Sequence, residues 1–426
     1  MLDKIKKFAE ILPYSIGSKL ALVPYSIRLG KTYNQFKVLS QKEHQTMPFV
    51  IEQFSQIFEY AKNNFPFYQE LYRKTGVLDL KIQSLEDIIK IPIITKEDIR
   101  NNIDQFKGSM LLNTGGTSGE PFRFYVDKYA FGREWAHMHT IWEKKGYQYT
   151  DLKITLRGRD LGEKTFQYNP VHNEFIINTY KNIAEVKDNI IQLFSKYEIK
   201  YIHGYPSAVY NFLQELDMVI SLDEKNIITK NLISCFLGSE FPMPHITCFL
   251  ESKWGLDYIS WYGHSEMCIL AYDETKQNDY KPFYTYGYTE VVNKKLIGTS
   301  YHNFDMPLIR YDTGDLVEPY YLENGLLDSF KITEGRNGDF ILDVNHKRIP
   351  LTALIFGRHH EVFNYARFIQ VEQLKPGNLI VYITTDEQDK RKVYGDLNME
   401  NIAIEYSVEL IQQPIKTISG KVKLKI

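Results

Sequence analysis

A chain of 426 residues is longer than one ordinary hydrophobic core covers, so two or three domains or subdomains are expected. A net charge of −2 gives no reason to expect nucleic acid as a partner, and 43% hydrophobic residues support a sizeable core. Cys235, Cys248 and Cys268 are too widely spaced for a metal-ligand pair and read as thiols of a reducing compartment, most simply the cytoplasm. No stretch approaches the ~18–20 apolar residues that span a bilayer, and the N-terminus lacks the apolar core of a signal peptide.

Residues 1–47 form a basic arm interrupted by Pro13 and Pro24. Apolar residues such as Phe8, Ile11, Leu12 and Leu20 are interleaved with its lysines, so a helical arm packed on the body is expected. A weak membrane-surface contact is the sharper alternative. Residues 48–63 carry helical periodicity through Phe49, Val50, Phe54, Ile57, Phe58 and Ala61, and Phe65–Tyr68 should break that helix at Pro66. Ser84 and Thr95 are plausible caps of two further helices. From about residue 111, strand-like runs alternate with helical patterns at 130–145, 183–197 and 206–218. That alternation predicts an α/β body with a buried, largely parallel sheet. Residues 285–335 look like a β-rich subdomain, and past Gly335 a small α+β unit begins, with a helix over 387–398.

The most informative stretch is Thr114-Gly115-Gly116-Thr117-Ser118-Gly119-Glu120-Pro121. Glycines let a backbone turn tightly and present N–H groups that can cradle phosphate oxygens, and hydroxyls add neutral donors. The run lacks the Gly-Lys-Ser/Thr ending of a Walker loop, and taken alone it could be a Gly/Ser hairpin turn. Five more segments follow in order: His203-Gly204-Tyr205-Pro206-Ser207, Leu237-Gly238-Ser239-Glu240, Trp261-Tyr262-Gly263-His264-Ser265-Glu266, Arg310-Tyr311-Asp312-Thr313-Gly314-Asp315 and Gly335-Arg336-Asn337-Gly338-Asp339. Ser419-Gly420-Lys421 closes the series.

In order and spacing these segments resemble the adenylate-forming superfamily over nearly the whole chain. The resemblance is to its phenylacetate–CoA ligase-like branch, which includes capsular polysaccharide biosynthesis members. It implies a large multi-subdomain body carrying a small C-terminal lid that turns about Asp339. It also implies an ATP- and Mg²⁺-dependent ligase that activates a small carboxylic acid as acyl-AMP. The acceptor would be the coenzyme A thiol, an amine or a carrier-protein thiol, and a homodimer is compatible with it.

The resemblance assigns roles residue by residue. Thr114, Gly115, Gly116, Thr117, Ser118 and Gly119 would hold the β- and γ-phosphates. Many members carry a lysine before the loop's proline, and here Glu120 stands instead. Gly238, Ser239 and Glu240 would lie against the adenine, with Tyr262 stacked nearby and Gly263 beside it. Asp315 would accept both ribose hydroxyls, since a carboxylate has oxygens to match a vicinal diol. Ser265 would reach the α-phosphate and Glu266 a Mg²⁺ ion. Arg336 would reach the ribose or phosphates, and Lys421 would touch the reacting carboxylate and α-phosphate. Without the other segments, Lys421, Lys423 and Lys425 would read as an exposed edge strand. Trp135, His139, Tyr205, Phe236, Trp261 and His264 would wall the acyl pocket, for an aryl acid or equally for a polar amino or sugar acid. Two rivals stay open. One is an adenylyltransferase that only transfers AMP, as some relatives are thought to do to a deazaflavin. The other is a catalytically silent nucleotide-binding subunit of a polysaccharide assembly.

Overall fold

The computed structural model describes residues 12–42, 46–114, 122–334, 340–351, 354, 355, 358, 360–415 and 424–426. The basic arm forms helices Tyr14–Ala21, Tyr25–Arg28 and Gly30–Ser40. They lie on the body: Arg28 donates to the Val171 carbonyl at 2.6 Å, and Lys37 pairs with Glu143 at 2.5 Å. Helix Met47–Asn64 buries Val50, Phe54, Ile57, Phe58 and Ala61, the stripe its periodicity demands. Pro66 does end that helix, but it also opens the next, Pro66–Thr75. A proline at the first helical position gives up only an N–H that has no helical partner there, and its φ is already helical.

Nineteen strands occur among the described residues. A hairpin of β1 (Met110–Thr114) and β2 (Phe122–Val126) flanks the glycine-rich loop. The first part of the main sheet comprises β3 (Leu152–Leu156), β4 (Phe166–Asn169), β5 (Glu174–Ile177), β6 (Ile199–Gly204), β7 (Ser234–Gly238) and β8 (Asp257–Gly263). It continues through β9 (Leu270–Asp273), β10 (Asp279–Pro282), β11 (Gly287–Val292), β12 (Lys295–Ser300), β13 (Tyr311–Tyr321) and β14 (Leu327–Glu334). The spatial order is β11-β12-β13-β14-β10-β9-β8-β7-β6-β3-β5-β4. Pairing is parallel from β5 through β3, β6 and β7 to β8, as expected for helical crossovers, and antiparallel elsewhere. The β-rich stretch therefore continues the same sheet: β10 pairs with β9 on one side and β14 on the other.

Helices Ile183–Lys196, Pro206–Val219 and Pro244–Trp254 cover one face of the parallel part, around Ile202, Leu213, Leu237 and Leu250. Helix Ala130–Glu143 covers the other, around Trp142, Tyr201, Phe236 and Trp261.

Past 340 the C-terminal unit has β15 (Phe340–Leu342) paired with β16 (Arg348–Pro350). It also has a sheet of β17 (Phe368–Lys375), β18 (Asn378–Thr384) and β19 (Glu405–Ile411), with helix Lys390–Gly395 before β19. Its own core includes Ile369, Val371, Val381, Ile383 and Val408. Several contacts among the described residues join the unit to the body. Arg358 and Asn401 hold Asp160 at 3.1 and 2.8 Å, Lys347 lies 3.7 Å from Glu215, and Asn113 donates to Asn364 at 3.0 Å.

Candidate active site

Side chains alternate along a strand, so register decides which of them meet. On the face under helix Ala130–Glu143, Thr155, His203, Phe236 and Ile259 form one row across β3, β6, β7 and β8. Two residues nearer the carboxyl ends of β7 and β8 come Gly238 and Trp261. Glycine is required at 238, because a Cβ there would run into the Trp261 indole. The chain then turns through Ser239, a non-glycine residue at φ +68°, before Glu240 accepts the Ser207 N–H at 3.0 Å. Left-handed backbone at such a residue costs about 1 kcal/mol or more and marks functional turns.

Asp315 reaches this edge through a break in the ladder. Ile297 pairs with Asp312 but Lys295 pairs with Leu316, so β13 carries two extra residues against β12. Gly314, at φ +83°, lets the bulge turn. Asp312 accepts the Gly314 N–H at 2.9 Å, and Thr313 accepts the Asp315 N–H at 3.2 Å while donating to the Leu296 carbonyl. The bulge thereby turns the Asp315 carboxylate toward β8, where the Tyr262 hydroxyl donates to it at 2.6 Å. Ser239, Glu240, Tyr262, Gly263, Asp315 and Ile332 line one narrow cleft.

Glu266 lies just beyond β8 and is 3% exposed. Tyr311 donates to one of its oxygens at 3.0 Å, His264 lies 3.1 Å from the other, and the Lys96 ammonium is 3.8 Å away. Burial alone pushes this carboxyl up, but Lys96 and then His264 outweigh burial and hold it well below the usual range. Ser265, between the two, is exposed. Among the described residues no group of three or more His, Cys, Asp or Glu side chains could hold a metal ion. The Glu266 carboxylate would be one oxygen ligand for Mg²⁺, which takes one or two carboxylates and completes its shell with phosphate oxygens and water.

No family model matches the chain. It is 25% identical over 373 residues to Protein CapK of Staphylococcus aureus, covering 82% of this chain and 81% of that one. Among solved structures it superposes on 2-hydroxyisobutyryl-CoA ligase bound to 2-HIB-AMP and CoA in the thioesterification state. The TM-score there is 0.54 at 16% identity, covering 88% of each chain. The open conformation of that ligase, also with 2-HIB-AMP and CoA, gives 0.51 at 15% identity over 88% of this chain and 90% of that one. The chain is similar to Protein CapK and has the fold of that adenylate-bound ligase.

In this chain the expected site residues divide into three groups. Gly238, Ser239, Glu240, Tyr262, Gly263, His264, Ser265, Glu266 and Asp315 converge on the carboxyl edge of the sheet. The Tyr262 hydroxyl binds Asp315, and its ring meets Phe330 edge-on at 5.3 Å. Of the six expected acyl-pocket walls, Trp261 lies in the outer row, whereas Tyr205, just past β6, packs against the core on the other face of the sheet. Phe236 lies one row deeper, stacked on Trp142 at 4.8 Å with rings 4° from parallel. His139 bonds the arm's Tyr33 at 2.7 Å, and Trp135 stacks on His172 at 4.3 Å. Gly115, Gly116, Thr117, Ser118, Gly119, Arg336, Asp339 and Lys421 lie outside the described residues, as does the side chain of Thr114.

The structure adds residues that the motifs did not reveal. Lys96 belongs to an ordinary capped helix in the sequence, and only the fold brings it to Glu266. Glu134, one residue before Trp135, bonds the Tyr286 hydroxyl; burial raises its pKa against that bond and the nearby His264 and Arg157 charges. Arg157 follows β3 directly, where a cation at a strand's carboxyl end was the signal available.

Proposed function

We propose that this chain is an ATP-dependent ligase that activates a carboxylic acid as its acyl-adenylate and passes the acyl group to a thiol or an amine. Asp315 supports the reading most directly. A bulge and the Tyr262 hydroxyl aim its carboxylate into the cleft shared with Ser239 and Glu240, and ligands of open α/β sheets gather at such carboxyl edges.

In the first step an oxygen of the acid attacks the α-phosphorus of ATP. The bond from that phosphorus to the bridging oxygen breaks, and pyrophosphate leaves with the electron pair. In the second step the acceptor's sulfur or nitrogen attacks the acyl carbon, its proton passes to solvent, and AMP departs. Asp315 holds the ribose diol, Ser239 and Glu240 face the adenine, and the exposed Ser265 hydroxyl reaches the α-phosphate. The loop 114–119 holds the outer phosphates, and Lys421 meets the charge that develops at the α-phosphate. Glu266 would hold a Mg²⁺ ion, which would supply charge screening for the phosphates. Coenzyme A is the acceptor to test first.

Acid-dependent ATP–pyrophosphate exchange, with and without coenzyme A, tests the reading. Asp315→Ala should keep the fold and weaken ATP binding by about 10- to 100-fold for each lost hydrogen bond. Unchanged ATP affinity would remove the ribose assignment, and AMP transfer to an acceptor with no acid present would replace the ligase by an adenylyltransferase.

A further inference from the structure

We propose that the basic N-terminal arm docks on a membrane surface carrying anionic lipid, with Ile16, Leu20, Leu22 and Ile27 entering the surface and the arm's free lysines meeting the headgroups. The proposal is independent of the ligase reading.

The arm is inverted relative to an ordinary surface helix, which sends its apolar stripe to the core and its polar face to solvent. Much of the arm's inward contact is polar. Arg28 and the Tyr25 hydroxyl donate to the Val171 carbonyl at 2.6 and 3.1 Å, Tyr33 bonds His139 at 2.7 Å, and Ser40 bonds Thr140 at 2.7 Å. In helix Tyr14–Ala21 the buried residues are the small Gly17, seated against Tyr168 and Pro170, and Ala21. Ile16, Lys19 and Leu20, spaced by three and four and so on one face, are left to solvent. Ile16 is 53% exposed and Leu20 44%, and Leu22 and Ile27 follow at 58% and 72%. With Val38, five of the twenty exposed large apolar side chains among the described residues fall on this arm. Exposed apolar residues scattered singly need no explanation, but a concentration of them marks a surface that something covers.

Charge identifies what covers it. Residues 12–42 contain Lys19, Arg28, Lys31, Lys37 and Lys42 and no Asp or Glu, in a chain whose net charge is −2. Lys37 pairs with Glu143, whereas Lys19, Lys31 and Lys42 are exposed and form no ion pair among the described residues. Residues 1–11 add Lys4, Lys6 and Lys7 against Asp3 and Glu10, so the sequence before the described arm extends the same charge. Protein interfaces favour aromatic, Met and Arg side chains and are depleted in Lys. Aliphatic side chains beside lysines suit an anionic bilayer surface instead, where the acyl boundary takes the first and the headgroups attract the second. Among the described residues no helix is long and apolar enough to cross a membrane, so the arm lies in the interface plane. Its inward hydrogen bonds carry the body to the surface with it.

The test is flotation of the full chain with vesicles of phosphatidylcholine alone and of phosphatidylcholine mixed equally with phosphatidylglycerol. Binding to the mixed vesicles should be on the order of 10- to 100-fold tighter. Raising salt from about 0.1 to 1 M should remove most of that preference, because the screening length falls from ~10 to ~3 Å. Lys19→Glu with Lys31→Glu should abolish the preference. Leu20→Ser, Leu22→Ser and Ile27→Ser together should weaken binding by about 10-fold or more. Met218→Ser with Leu222→Ser removes comparably exposed apolar side chains, 71% and 74%, from the body and should change nothing. The charge reversal carries the test if the triple variant fails to fold. No binding to either vesicle, equal binding to both, binding that survives the arm substitutions, or an equal loss in the body variant overturns the proposal. So does a dimer that the arm substitutions dissociate, which would assign the surface to a second copy of the chain.

Discussion

At Glu266 a neighbour outranks burial. A carboxylate so enclosed would ordinarily take up a proton, but Lys96, 3.8 Å away, and the His264 contact keep it ionised. Its folded pKa is depressed, so the stability it contributes is fully present above its unfolded value of 4.5 and is lost as pH falls below that. Lys96→Met removes the largest lowering influence and should cost about 1–2 kcal/mol at pH 7. The gap between variant and wild type should hold from pH 7 to pH 4 and close only as pH falls toward the folded value, well below 3, and urea denaturation from pH 7 to pH 2 measures it. A gap of equal size at both ends would mean that Lys96 acts by packing alone. The sequence showed Glu266 and Asp315 because each sits in a compact motif. It did not show Lys96, about 170 residues away, or that Tyr262 would bond Asp315, because chain order carries no information about which loops converge.

Among the elements, local chemistry was legible where a single rule governed it and was lost where two competed. The stripe Val50, Phe54, Ile57, Phe58, Ala61 gave its helix correctly. Pro66 was read only as a terminator because the same residue that ends one helix suits the first turn of the next. The segment after β3 shows what pattern cannot give. Arg157 opens it, and three residues on Asp160 is held by Arg358 and Asn401 of the C-terminal unit. Arg358 is enclosed, bonds Asn398 and Glu400 as well, and lies over the Tyr180 ring at 4.8 Å. One short loop thus links the carboxyl end of β3 to the C-terminal unit, the lid of the proposed ligase. Asp160→Ala should cost about 1.5–3 kcal/mol of lid docking, the worth of a charge-assisted hydrogen bond. Hydrogen exchange should rise over the docked surface of 340–415 while β6–β8 stay protected. Uniform change across the whole chain, or none, would show that Asp160 does not hold the lid.

Across the whole molecule, the composition change after Gly335 marked the C-terminal unit because that unit has its own core and sheet. The β-rich stretch before it looked separate because turns interrupt it, yet β10 joins it to the main sheet, a pairing between residues some fifty positions apart. The end of the chain is tied to the C-terminal unit on both sides of residues 416–423. The Gln370 side chain bonds the backbone of Ile415 at 2.7 and 2.9 Å, and Val371 pairs with Leu424 and Ile426 at 2.7 and 3.0 Å. A lid that holds Lys421 at the α-phosphate for adenylation and turns away for transfer would make the lysine matter for one half-reaction only. Lys421→Ala should slow pyrophosphate release by on the order of 10² to 10³, yet consume a supplied acyl-adenylate near the wild-type rate. Lys423→Ala is the comparison and should change neither step. Lys425 is unsuitable for that purpose, since it donates to the Phe340 carbonyl at 2.7 Å and fastens the tail. If Lys421→Ala and Lys423→Ala behave alike, or if Lys421→Ala slows both half-reactions equally, the lysine is one of an exposed row and has no part in adenylation.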